Sequence, residues 1–425
     1  MNDEGILVRR LSVVALFLAA RLPLFFLRKP FYDELFTAWI AAKPFAEIVT
    51  ALHHDSGPPL YYFAVHLFGH ARLLSLVCAG VTFLLVMRRS LIAALLLTLY
   101  PAAALMAVDG RAYAMCGMFV AVGVVALEED HRFAGALAFV LAAYTHYYGV
   151  LFFPLLLLRG RRGLGPFALA AILFAPGFLL ALHQPAEAMA WNAFPPMWSL
   201  ANLSFAGHYA DGLLTSPPLA VVIGAMVMFI FAACRSWRFA PAVLIPLTLT
   251  LLFAAAGRSI YFPLRFESVI AAPLVLWLAA SLARWPSAVR TTLAAALALT
   301  GALVLTRGTL AHAYAGESDG VRAARLVRAR VPAGEPVVAS GYNWLEAQSV
   351  LPRVTAFPLE QAQHPGWWRP LPAYDTRNLP ADFVWIGNAE APELAALRRV
   401  RRALPLGQAG NVVILRMRVL TTALH

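Results

Sequence analysis

Charge is what this chain has least of. Of its 425 residues only 13% are Asp, Glu, Lys or Arg, while 61% are hydrophobic and the mean hydropathy is +0.70. A soluble domain carries about a quarter charged residues, so the solvated surface here is half the usual one and lipid must replace water over much of the exterior. Cysteine is also scarce. Cys78, Cys116 and Cys234 each lie inside an apolar run, and there is no CxxC or Cys/His cluster, so neither a disulfide framework nor a zinc site is indicated. A nucleotide-phosphate loop is missing too. The net charge of +12 does not point to nucleic acid, because the arginines stand in short clusters between apolar runs, as membrane anchoring requires.

A spanning helix needs about 20 mostly apolar residues. Stretches near 11–27, 73–87, 91–108, 111–127, 132–145, 147–158, 166–182, 217–234, 239–256, 266–283 and 287–306 give about eleven candidates, of which the two flanking Thr145–Tyr148 are short. Arg9 and Arg10 before the first stretch look like a signal peptide, but no small-residue cleavage site follows, so a retained first helix is expected. Pro58–Phe68 is apolar but too short to cross and opens on two prolines, which suits an interfacial or re-entrant helix.

The positive charges assign sides. With the N-terminus inside, cytoplasmic connections carry Arg88–Arg89, Arg132, Arg159, Arg161, Arg162, Arg235, Arg238, Arg284 and Arg290, while the loop from about His183 to Ser216 has no Lys or Arg. An odd number of spans leaves everything after about Arg307 outside. The expectation is therefore an all-α membrane domain over 1–312, with an outer-face loop at 28–72, and an extracytoplasmic domain over 313–425. In that tail the short apolar runs Val337–Ser340, Asp382–Gly387 and Val412–Met417 read as strands, and Gly320–Arg330 and Ala391–Val400 read as helices, which suggests a small α/β fold.

The rare polar residues collect at the outer ends. Asp33 and Glu34 follow the first span in an aromatic context. Carboxylates at a membrane boundary are solvated, paired or used, though a pair at a helix start can also serve only the helix dipole. The two side chains point about 100° apart on a helix and do not share one task. His53, His54 and Asp55 could be an exposed cluster, a metal site or a substrate contact. Asp109-Gly110-Arg111-Ala112-Tyr113, Thr145-His146-Tyr147-Tyr148 and Arg258 to Glu267 occupy later outer turns. Arg258 reads as a headgroup anchor. Arg111 and Arg265 open spans beside aromatics, where a guanidinium fork suits a lipid phosphate and rings can pack on an isoprenoid.

Taken in order, YDE, HHDSGPPLYYFAVHLFG, DGRAYAM, THYYG and RFESVIAAPL resemble the GT-C membrane glycosyltransferases, in the branch of the protein O-mannosyltransferases and lipid A aminoarabinose transferases. The resemblance covers about residues 10–306. It implies a sugar taken from a polyprenyl-phosphate carrier in the cell membrane, with no nucleic acid partner and an acceptor that stays open. It further implies Asp33 as catalytic carboxylate with Glu34 beside it. His53, His54, Asp55, Tyr61, Arg111, Tyr113, His146 and Arg265 become candidates for donor or substrate binding. Relatives commonly have a carboxylate-bearing eaR-x-Y where this chain has Asp109-Gly110-Arg111, so Asp109 need not carry the same role. Metal dependence is left open. A carboxylate that takes the acceptor proton while arginines or a metal steady the leaving phosphate gives a single, inverting displacement. The alternative is a flippase or transporter of lipid-linked saccharides, which would place ionisable residues near the midplane and show inverted repeats.

Overall fold

The computed structural model describes residues 3–185, 202–206, 219–314, 317–357 and 376–420. The chain starts with α1 (Asp3–Ala19) and α2 (Leu22–Leu27), continues through α3 (Tyr32–Ala41), α4 (Phe45–Leu52) and α5 (Leu60–Phe68), and then enters α6 (Ala71–Arg89). Next come α7 (Leu91–Leu99), α8 (Pro101–Met106), α9 (Tyr113–Glu128), α10 (Arg132–Thr145), a 3-10 segment (Tyr147–Phe152), α11 (Pro154–Leu157) and α12 (Arg161–His183). Four more apolar helices follow: α13 (Leu219–Ala233), α14 (Pro241–Ala255), α15 (Arg265–Leu282) and α16 (Ser287–Tyr314). The last segment holds α17 (Asp319–Arg330), β1 (Val337–Ser340), α18 (Gly341–Gln348), β2 (Thr355–Phe357), β3 (Phe383–Asn388), α19 (Pro392–Arg398), β4 (Arg401–Ala409) and β5 (Val412–Val419).

Two compact units result. One combines Met1–Arg28, Ser56–Gln184 and Trp191–Ala315; the other combines Lys29–Asp55, Pro185–Ala190 and Gly316–His425. The expected outer loop 28–72 is therefore shared: its first part, with Asp33 and Glu34, groups with the tail, and its second part with the helical bundle.

In the bundle, Glu4–Leu27, Ala71–Arg89, Arg161–His183, Arg265–Leu282 and Ser287–Arg307 are long and apolar enough to cross a membrane, which makes this an integral membrane protein. All eleven expected stretches contain helix, but the other six are shorter or broken, so a count of eleven crossings does not follow from helix length. Proline explains part of the shortfall. Stretch 91–108 breaks at Pro101 and stretch 147–158 at Pro154, each sitting at the first position of a new helix, where its missing N–H is tolerated. The α5 helix has nine residues and stops at Gly69 with φ +78°, too short to span, as expected for Pro58–Phe68. The arginine-free loop 183–216 lies largely outside the described residues.

Four of the arginines grouped by sequence, Arg89, Arg132, Arg159 and Arg238, meet at one end of the bundle. The acids that close α9 receive them: Glu128 lies 3.0 Å from Arg238 and 3.8 Å from Arg159, Glu129 pairs with Arg89, and Asp130 lies 2.7 Å from Arg132. Deeper in the bundle, Arg21 stands at the α1–α2 break and is 1% exposed. Pro101 cannot donate to the Leu97 carbonyl four residues earlier, and Arg21 supplies the missing donors. Its Nη2 reaches Leu97 O at 3.4 Å, and its Nη1 reaches Thr98 O at 3.2 Å and Phe17 O at 3.3 Å, with the Phe17 ring 3.9 Å from Cζ.

The tail is an α/β domain with strand order β2-β1-β3-β5-β4, parallel among the first three and antiparallel from β3 onward. Val338, Phe383, Trp385, Leu415 and Met417 fill one face with Leu394 and Leu397 of α19. Within the same unit α3 packs on α18, and its buried residues Tyr32, Phe36, Thr37, Ile40 and Ala41 recur at helical spacing.

Arg21→Met should leave the Leu97 and Thr98 carbonyls without donors, on the order of 2 kcal/mol of lost stability. Thermal unfolding of the detergent-solubilised protein should show a midpoint several degrees lower. An unchanged midpoint would mean that these carbonyls do not need Arg21.

Candidate functional site

Four of the expected binding residues converge in the bundle, each at a helix end. Tyr113 opens α9, two residues after Arg111. His146 closes α10, and Arg265 opens α15 directly after Leu264, whose φ of +67° turns the chain sharply. The Arg265 guanidinium carbon stands 3.9 Å from the Phe262 ring centroid and 5.4 Å from that of Tyr113, within cation–π range. Tyr113 and His146 are 5.0 Å apart by ring centroids, and His146 and Tyr148 are 4.4 Å apart. The result is a pavement of three rings that carries one guanidinium, with Arg111 close enough for its charge, like that of Arg265, to act on His146.

Hydrogen bonds fix that pavement. The Tyr148 N–H donates to His146 Nδ1 at 3.2 Å, which leaves Nε2 to carry the ring proton, and the Tyr148 hydroxyl donates to Ile260 O at 2.8 Å. The Tyr261 hydroxyl donates to Glu267 Oε1 at 2.6 Å, and Glu267 is fully buried. His146 lies in the turn between helices and is only half-buried, yet enclosure comes first among the causes that lower its pKa, ahead of Arg111 and Arg265. The ring is therefore neutral at physiological pH and serves as packing and hydrogen-bonding surface.

Tyr61 takes a different place from that expected of a substrate contact. It is 1% exposed, and its hydroxyl lies 3.0 Å from Ser75 Oγ and 3.3 Å from Ala71 O. Ser75 Oγ in turn donates to the Arg111 carbonyl at 3.2 Å. Tyr61 thus underlies Arg111. Asp109, 3% exposed, pairs with Arg28.

The other expected residues belong to the second unit. Asp33 and Glu34 occupy the first turn of α3, both half-buried, with the Thr37 hydroxyl donating to the Asp33 carbonyl at 2.9 Å. His53 caps the end of α4 and is exposed, His54 is half-buried and Asp55 is buried. Among the described residues no group of three or more His, Cys, Asp or Glu side chains is arranged to hold a metal ion, so the metal reading of His53, His54 and Asp55 gains no geometric support. Sequence reasoning placed Tyr148, Tyr261 and Glu267 in outer turns but gave none of them a part in the site. The signal was available in a carboxylate two residues after Arg265 in an otherwise apolar helix.

No protein-family model matches the sequence, and no curated protein does. Among solved structures the fold is similar to ArnT from Cupriavidus metallidurans in the apo state, with a TM-score of 0.55 at 13% identity over 97% of this chain and 98% of that one. It is equally similar to ArnT from the same organism bound to undecaprenyl phosphate, with a TM-score of 0.54 at 15% identity over 98% of both chains. The ArnT-like fold extends over both units, so the resemblance expected for residues 10–306 reaches the tail as well.

His146 should give nitrogen shifts of the neutral Nε2–H tautomer throughout pH 5 to 8 in selectively labelled protein, where an ordinary imidazole titrates near about 6.5. A titration midpoint near that ordinary value would contradict the enclosure of the ring beside two guanidiniums.

Proposed function

We propose that the protein is a glycosyltransferase that moves a sugar from a polyprenyl-phosphate donor to an acceptor at the outer face of the cell membrane. The observation that carries this reading is the convergence of Arg111 and Arg265 on the Tyr113–His146–Tyr148 pavement at helix ends. Two guanidiniums suit a phosphate monoanion or dianion, and the rings suit the first isoprene units attached to it. The ArnT-like fold supports the same direction, because one ArnT structure holds undecaprenyl phosphate.

In this reading the bond between the anomeric carbon and the phosphate oxygen breaks, and its electrons remain on the phosphate. Arg111 and Arg265 stabilise that growing charge. The acceptor hydroxyl oxygen forms the new bond on the opposite face of the sugar, and its proton passes to the Asp33 carboxylate, with Glu34 beside it. One displacement inverts the anomeric centre. His146, being neutral, bears no charge against the donor. His53, His54 and Asp55 are assigned to donor or substrate binding, and Tyr61 acts on the donor through Arg111. The N-terminus is cytoplasmic and the α/β domain lies outside.

Transport is the rival reading. It calls for carboxylates near the midplane, whereas among the described residues the buried acids of the bundle, Asp109 and Glu267, stand at a helix-connecting turn and in the first turn of α15.

In proteoliposomes supplied with a panel of polyprenyl-phosphate sugars, wild type should transfer one of them. Asp33→Asn should lose kcat by about 100-fold or more, and Arg265→Ala should chiefly raise the donor KM. Transfer that survives unchanged in Asp33→Asn would remove this carboxylate from the chemistry.

A further inference from the structure

We propose that Arg28 and Asp109 form a positioning pair that aims Arg111, so that Asp109 acts through this pair and takes no part in proton transfer. The inference rests on the functional reading above for the role of Arg111, and on five side chains outside the pavement for its geometry.

Arg111 sits in the short turn between α8 and α9, where Gly110 adopts φ +62°. Such a turn, carrying a half-buried arginine, needs anchors on both sides. On one side Asp109 is enclosed and paired with Arg28, the two side chains being 4% and 13% exposed. On the other side the Arg111 carbonyl accepts from Ser75 Oγ at 3.2 Å. Ser75 Oγ also lies 3.0 Å from the Tyr61 hydroxyl, which donates to Ala71 O at 3.3 Å. Tyr61 thus reaches the Arg111 backbone through Ser75.

Arg28 is itself on a fixed base. Arg72 Nη1 donates to the Arg28 carbonyl at 2.7 Å and to the Phe25 carbonyl at 3.3 Å, closing the C-terminus of α2. A charge pair between two braced backbones loses little side-chain freedom on forming, which is where an ion pair fixes geometry best. Asp109 has one oxygen on Arg28 and almost no exposed surface, so it does not present a carboxylate to substrate. Arg28 is also the last bundle residue before the segment that carries Asp33.

The test uses full-length protein in nanodiscs, undecaprenyl phosphate as binding probe, donor KM and kcat, and amide hydrogen exchange over residues 109–112. Asp109→Asn and Arg28→Gln should each weaken probe binding and raise donor KM about tenfold, with kcat within about threefold and with faster exchange in the turn. Tyr61→Phe should do the same to a smaller degree. Asp109→Glu, which keeps the pair, should stay near wild type, and the exchanged pair Arg28→Asp with Asp109→Arg should recover slow exchange and most of the affinity. A loss of kcat of about 100-fold in Asp109→Asn with exchange unchanged would overturn the proposal, since Asp109 would then act on the reaction. So would normal exchange and affinity in both single variants. If wild type binds no undecaprenyl phosphate, the functional reading fails, while exchange in the turn still decides whether the pair positions Arg111.

Discussion

Inside an apolar bundle no water is at hand to satisfy a bare carbonyl or a lone charge, so each must find its partner in the protein. In this chain arginine is that partner repeatedly. Arg21 donates to the carbonyls left open before Pro101, Arg72 to those at the end of α2, and Arg159 to the Leu127 carbonyl at 2.6 Å as α9 ends. Five donors in one planar fork allow a single side chain to serve two or three acceptors, which lysine cannot match in fixed geometry. The helices can therefore be interrupted there with these carbonyls still hydrogen-bonded.

The interruptions are where the chemistry collects. The turn after α8 carries Asp109 and Arg111, the turn after α10 carries His146 and Tyr148, and the turn at Leu264 delivers Arg265. An unbroken helix of the same sequence would spread these residues along its length. The three breaks instead gather them around Tyr113, and Arg28 braces the first of them through Asp109. The architecture and the turn that bears Arg111 thus share one device, a helix end held by a guanidinium.

This explains which features could be read from the sequence. Apolar stretches, the grouping of Arg89, Arg132, Arg159 and Arg238, and the strands at 337–340, 382–387 and 412–417 are local patterns, and each has its counterpart in the structure. Arg111, Tyr113, His146 and Arg265 were legible for the same reason, because polar residues at the ends of apolar runs stand out. The break inside 91–108 was signalled by Pro101, but its repair by Arg21, 76 and 77 residues earlier than the carbonyls it reaches, is a tertiary fact. The β4 strand was hidden by Pro405 and Gly407, which an edge strand tolerates at the register shift it makes against β5. Nor could spacing reveal that residues 29–55 group with the tail, or that Tyr61 serves Ser75 and the backbone of Arg111.

The central claim is that the aromatic pavement flanked by Arg111 and Arg265 receives a lipid phosphate. The most direct measurement is a cryo-electron-microscopy structure of the protein in nanodiscs with undecaprenyl phosphate. The account predicts phosphate density within hydrogen-bond reach of both guanidiniums, with the proximal isoprene on the rings of Tyr113 and Tyr148. Phosphate density seated elsewhere, with both arginines left as they are without lipid, would contradict it.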